Sequence, residues 1–277
     1  MTINCNGKLI DVSHPKIMGI LNITPDSFFD GGHYNDTTSI LKQVEKMLLE
    51  GATFIDVGAC SSRPGSMAVT EEEELKRLIQ VVELLVSTFP DIILSIDTFR
   101  GKVAALALEA GAGMINDISA WNLDHEMLET IKKFQPPYVL MHMKGHPKNM
   151  QSNPTYKNLI KEILSFLIKK IELLDQIGIK DVLLDPGFGF GKTLEHNFSI
   201  LRNLESFKTL NTPILVGISR KSMITNHLKI NKINSLNGTT ALNMNALSKG
   251  AKVLRVHDVL PAMECISLHE KIKNSKR

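Results

Sequence analysis

The chain has 277 residues, 43% hydrophobic and 22% charged, an ordinary globular composition long enough to bury a large core. Its 32 basic and 29 acidic residues are spread along the length and leave a formal charge of +3, so no domain-wide basic face speaks for a nucleic-acid partner. Cys5, Cys60 and Cys265 stand far apart with no Cys-x-x-Cys pair, which argues against a disulfide framework or a structural zinc site. No leader-like start is visible, and no apolar run reaches the roughly 20 residues of a membrane span, so a cytoplasmic chain is expected.

Short apolar, often β-branched runs alternate with longer stretches of helical periodicity. Residues 1–14 are expected to form an N-terminal extension, a hairpin over the floor of the fold. Strands are predicted at 17–22, 53–58, 92–97, 113–117, 137–142, 181–185, 213–219 and 252–257. Between the second and third, Leu75, Leu78, Ile79, Val82, Leu85, Val86 and Phe89 keep helical spacing over 70–89 behind a Thr70/Glu73 capping box. Ile163, Leu167, Ile171 and Leu174 mark another long helix, while 144–158 and 226–237 read as loops or irregular helix starts. Gly51, Gly111, Gly178 and Gly250 sit where a helix ends before the next strand and a positive φ is wanted. Residues 271–277 read as a frayed basic tail.

Eight strand–helix units in about 250 residues predict an α/β fold, a closed (β/α)8 TIM barrel in a single domain spanning 1–277. Barrel active sites form at the C-terminal ends of the strands. Those ends read Asn22, Asp56, Asp97, Asn116 with Asp117, His142, Asp185, Ser219 followed by Arg220 and Lys221, and Arg255 with His257 and Asp258. All of them are expected to converge on one pocket. Any one acid at a strand end is more often a cap or a loop hydrogen-bonder than a catalyst. The full set of eight ends weakens that reading. Lys221, Arg255 and His257, with Asn22 opposite, would surround an anion such as a diphosphate. Asp97, Asn116 and Asp185 offer hydrogen-bonding edges for a flat heterocycle.

His142, His146 and His257 have no metal-site spacing. The glycines of DPGFGFGK, residues 185–192, lack Rossmann or P-loop spacing and read as a tight loop against a ligand. Met141, Met143 and Met150 read as packing.

At these same residues the chain resembles the dihydropteroate synthases, from about Ile17 to Asp258. The segments are GILNITPDSFFDGG (19–32), SSRPG (61–65), SIDTF (95–99), AGAGMINDIS (110–119), MHMKGHPKNMQ (141–151), DPGFGFGK (185–192), LVGISRKSM (215–223), GTTAL (238–242) and RVHDV (255–259). The resemblance implies a transferase of folate biosynthesis and sulfonamide target. Such an enzyme joins a pterin methyl diphosphate to 4-aminobenzoate, uses Mg2+ and works as a homodimer on small molecules.

By position, the resemblance implies that Asp97, Asn116, Asp185 and Lys221 hold the pterin. Asn22, Ser62, Arg255 and His257 meet the diphosphate, with Asn22 also at the magnesium. Arg63, Pro64, Phe190 and Ser222 surround 4-aminobenzoate. Asp30, in the first of two lid-like loops, is a candidate to offset the pterin cation, and with Lys221, Asp185 and Asp97 it completes the catalytic set. The second loop departs from the family pattern: Cys60 stands where an acid is usual and Ser62 where a threonine is usual. Two other readings compete. A pterin-binding methyltransferase domain would need no diphosphate site, and an inactive binding paralogue would not need Asn22, Lys221 and His257 intact.

Overall fold

A computed structural model describes residues 1–23, 34–59 and 69–275. Strands β1 (Thr2–Cys5) and β2 (Lys8–Asp11) form an antiparallel hairpin. Eight parallel strands follow: β3 (Lys16–Asn22), β4 (Phe54–Gly58), β5 (Leu94–Asp97), β6 (Met114–Asp117), β7 (Tyr138–Met141), β8 (Val182–Asp185), β9 (Ile214–Val216) and β10 (Ala251–Val256). They pair in sequence order, and β10 closes on β3, giving a (β/α)8 barrel. Among the described residues the α-helices are α1 (Tyr34–Leu49), α2 (Glu71–Thr88), α3 (Gly101–Glu109), α4 (Glu126–Phe134), α5 (Leu159–Gln176), α6 (Leu194–Arg202), α7 (Ser222–Leu228), α8 (Leu236–Ser248) and α9 (Val259–Asn274).

The local rules read from the sequence operate as expected. Thr70 caps α2, accepting from the Glu73 amide at 3.2 Å while the Glu73 carboxylate accepts from the Thr70 amide at 3.3 Å. Gly51, Gly111, Gly178 and Gly250 all have φ between +87° and +108°, the region a side chain would strain. Two readings change. Lys271–Asn274 is the last turn of α9, where basic side chains meet the negative end of the helix dipole, and is not a frayed tail. Residues 226–228 finish α7, so the connection to α8 is shorter than expected.

Two apolar layers hold the barrel. The larger lies between strands and helices. The smaller fills the floor, where Ile3, Cys5 and Val12 of the hairpin region pack on Met18, Phe54, Ile93, Met114, Val139, Leu183, Leu215 and Val253. Every barrel strand, or the residue leading into it, gives one side chain to that plug. The hairpin closes the end of the barrel remote from the strand C-termini.

Candidate active site

Side chains alternate in and out along a strand, so the residue two beyond each floor residue also points into the barrel. From Phe54, Ile93, Met114, Leu183 and Val253 that step reaches Asp56, Ser95, Asn116, Asp185 and Arg255. One further step reaches Asp97 and His257. The polar layer therefore sits directly on the apolar plug, in the strand-end half of the barrel.

Asp56 is the hub of this layer and is fully buried. Its carboxylate accepts from Ser95 Oγ at 2.6 Å, Asn116 Nδ2 at 3.0 Å and Arg255 Nε at 2.6 Å. Arg255 Nη2 reaches Asp97 at 2.6 Å. With Nδ2 committed to Asp56, Asn116 keeps Oδ1 for a ligand N–H. The acidic and basic sets are in direct contact in this layer. Arg255 bridges two acids, because a guanidinium in this closed layer needs carboxylate partners. Burial acts to lower the pKa of Arg255, but Asp56 and Asp97 outweigh it and raise it. Burial raises Asp97, against the pull of Arg255 and with Asp56 adding to the rise.

Asp185 ends β8 and accepts from the Gly187 amide at 2.7 Å. Burial raises its pKa, while Lys221 opposes the shift. Lys221 stands at the N-cap of α7, directly before Ser222. Its ammonium donates to the Phe188 carbonyl at 2.5 Å and lies 4.9 Å from the centre of the Phe190 ring. Burial lowers Lys221 to about 8, with Asp185 holding it up. The glycine-rich loop thus places Phe190 beside the lysine that faces Asp185.

His257 and Ser219 form the neighbouring pair. Ser219 Oγ accepts from the His257 amide at 3.2 Å and lies 3.0 Å from its Nδ1. A Ser219 hydroxyl proton directed at Nδ1 would place the ring proton on Nε2, a donor of the kind an anion takes. Asn22 closes β3 beside Gly58.

Four strand-end residues are engaged with partners other than the Asp56 layer. Asp117 is one residue out of phase with Asn116 and faces away, bonded to Tyr138 Oη at 2.6 Å, Ser119 and the Trp121 amide. Asp258 pairs with Arg220 at 2.5 and 2.9 Å. His142 bonds Lys192 at 3.0 Å. Asp30, Ser62, Arg63 and Pro64, together with Cys60, lie outside the described residues. Sequence reading left Asp56, Ser95 and Lys192 without a role. Asp56 was named as a strand end, and counting by twos from the floor residues would have added Ser95.

A parallel barrel whose mouth combines acids, an amide and a buried lysine around a glycine-rich loop is the frame of a small-molecule transferase or lyase. The family model described as pterin binding enzyme matches residues 18–257. Dihydropteroate synthase of Escherichia coli K12 is 42% identical over 278 residues, covering 100% of this chain and 98% of that one. A crystal structure of the Yersinia pestis dihydropteroate synthase in a sulfonamide drug complex superposes with a TM-score of 0.93 at 42% identity, covering 99% of this chain and 100% of that one. The Xanthomonas albilineans enzyme in complex with 7,8-dihydropteroate gives 0.89 at 34% identity over the full length of both. The chain belongs to the pterin binding enzyme family, and within it to the dihydropteroate synthases.

Proposed function

We infer that this barrel mouth condenses (7,8-dihydropterin-6-yl)methyl diphosphate with 4-aminobenzoate, giving 7,8-dihydropteroate and diphosphate. The observation that carries the reading is the meeting of buried Asn116 and Asp185 with half-buried Asp97 and Lys221 at the strand ends beside the Phe190 loop. Asp97 and Asp185 accept from the amino and ring N–H groups of the pterin, Asn116 Oδ1 accepts another ring N–H, and the Lys221 ammonium donates to the ring carbonyl and N5.

The bond from the methylene carbon to the diphosphate oxygen breaks, and positive charge spreads from that carbon into the ring. Buried carboxylates beneath the ring stabilise this charge without solvent reorganisation. Asp30 adds a carboxylate to the cation. The amine of 4-aminobenzoate then forms the new carbon–nitrogen bond and gives up a proton. His257, through Nε2–H, and Arg255, through its remaining Nη1, face the departing diphosphate with Ser62. Arg63, Pro64, Phe190 and Ser222 hold the aromatic acid.

Among the described residues no cluster of three His, Cys, Asp or Glu side chains forms a metal cage. The Asn22 side-chain oxygen is a hard donor of the kind magnesium takes and would hold the ion beside the diphosphate. When bound, Mg2+ neutralises charge on the diphosphate. Cys5 and Cys265 are free thiols, in keeping with a reducing, cytoplasmic setting. No described helix is long and apolar enough to cross a membrane. Leu260, Leu268 and Ile272 lie exposed along one face of α9, which supports a homodimer through outer helices.

The test is purified protein with the pterin diphosphate, 4-aminobenzoate and Mg2+, following diphosphate and dihydropteroate together. Equal amounts of both, loss of activity with EDTA and inhibition by a sulfonamide competitive with 4-aminobenzoate are expected. Absence of dihydropteroate in a folded, Mg2+-supplied sample would refute the reading.

A further inference from the structure

The glycine-rich loop rests on a second lysine to which the reaction above gives no part. Lys192 is 3% exposed. Its ammonium is met not by a carboxylate but by three neutral acceptors: His142 Nδ1 at 3.0 Å, the His142 carbonyl at 3.2 Å and the Phe190 carbonyl at 3.0 Å. A protonated lysine has three donors, so the match is complete. Burying an ammonium this way costs more than burying a methionine of similar length, and packing alone does not explain the residue.

The loop is seated where it can feel that lysine. A Cβ on Gly187 would stand 1.9 Å from the His142 carbonyl oxygen, and one on Gly191 would stand 2.1 Å from that of Lys144. Both glycines have positive φ, at 76° and 64°. The loop therefore lies backbone to backbone on the exit of β7. Lys221 grips the Phe188 carbonyl from the start of α7, and Lys192 grips the Phe190 carbonyl from the loop's own base. Two ammonium groups fix carbonyls two residues apart, and the Phe190 ring lies 4.9 Å from the Lys221 ammonium.

We propose that Lys192, seated on His142, is a positioning residue for the second substrate: it sets the Phe190 ring against Lys221 and so shapes the pocket for the aromatic acid. This rests on the reading of Phe190 as a neighbour of 4-aminobenzoate. Lys192 touches no substrate and acts through the loop. The charged and titratable groups facing it are His142 and Lys144 from the β7 exit, Asp185 from β8, His196 from α6 and Lys221 from α7. Burial lowers Lys192 to about 7, with Asp185 opposing and Lys221 reinforcing the shift. Burial, reinforced by Lys192, pushes His142 down to about 2 and keeps it neutral. As pH rises through 7 the ammonium becomes an amine with two donors for three acceptors, and the loop loosens.

The test is steady-state kinetics at saturating pterin diphosphate. In the wild type, KM for 4-aminobenzoate should rise between about pH 6 and about pH 8 while the pterin Kd at the lower pH stays tight. Lys192→Met should raise the KM for 4-aminobenzoate about tenfold at pH 6.5, abolish its pH dependence and leave the pterin Kd within about threefold. Lys192→Arg, which keeps the donors, should recover part of the loss. An unchanged 4-aminobenzoate KM in folded Lys192→Met, an equal loss for both substrates, or a flat wild-type profile would overturn the proposal. Phe190→Ala separates the two levels. If it raises the KM for 4-aminobenzoate and Lys192→Met does not, the lysine's role alone fails; if it leaves that KM unchanged, the placement of the aromatic acid fails with it.

Discussion

Replacing Asp56 by asparagine removes one charge and keeps the shape. The carboxylate serves three donors, Ser95 Oγ, Asn116 Nδ2 and Arg255 Nε, at 2.6 to 3.0 Å, and it is fully buried. An amide in its place offers one acceptor oxygen and introduces a competing donor. At least one donor and the Arg255 charge then lose their partner. Breaking a buried ion pair from one side costs about 3–5 kcal/mol, and each hydrogen bond to a charged group contributes roughly 1.5–3 kcal/mol. These overlap, so a loss of about 4 kcal/mol is expected, or a fall in Tm of roughly 10 °C for a chain of this size. Urea unfolding followed by circular dichroism measures it, with an unchanged m-value confirming that the same structure unfolds. Asp97→Asn is the internal control. It leaves Arg255 on Asp56, and burial already works against a charge at position 97, so its cost should be less than half as large. A loss below about 1 kcal/mol for Asp56→Asn, or a larger loss for Asp97→Asn, would refute the view of Asp56 as the anchor of the layer.

Three further outcomes follow from the geometry. Burial lowers Lys221 to about 8, so pterin affinity measured by calorimetry should fall as pH rises through that value. Over the same range folding stability gains from Lys221, because the unfolded chain binds the proton up to its ordinary value near 10.5; an affinity flat to pH 9.5 would contradict the role. Tyr138→Phe leaves the buried Asp117 carboxylate without its 2.6 Å donor and should cost about 2 kcal/mol in urea, with kcat little changed since Asp117 faces away from the mouth. Thr70→Ala removes the capping box of α2 and should cost about 1 kcal/mol, most of it restored by Thr70→Ser; an alanine variant as stable as wild type would show the cap to be idle.

The fold was legible because its rules are local. Thr70 and Glu73 are three residues apart, and each link glycine follows its own helix, so a short window of sequence contains the cause. The polar mouth was legible in outline, since a strand that ends in Asp97 or Asp185 advertises its end. The partnerships were not. Arg255 meets Asp56 and Asp97 across the closed barrel, from positions 199 and 158 residues away, and nothing beside Arg255 in the chain predicts it. Asp117 shows the other limit. It neighbours Asn116 in sequence, and the alternation of a strand sends it to the opposite face. Lys192 looked like the end of a glycine motif, because two of its three acceptors, both on His142, come into range only after β7 and β8 have paired.

The floor plug ties the two ends of the chain together in time. Ile3, Cys5 and Val12 are made before every strand of the barrel, yet they pack in the same cluster as Val253 of β10, the barrel strand made after the other seven. Until β10 slots between β9 and β3, the hairpin has no complete surface to cover, and the barrel has two open edges. Closure is thus a late event with a high loop-closure cost, in which docking of the first strand and insertion of the last reward each other. A nascent chain stopped short of residue 251 would carry its apolar floor exposed, and the same step that seals the floor delivers Arg255 to Asp56. The charge layer of the mouth is assembled by the final strand to arrive.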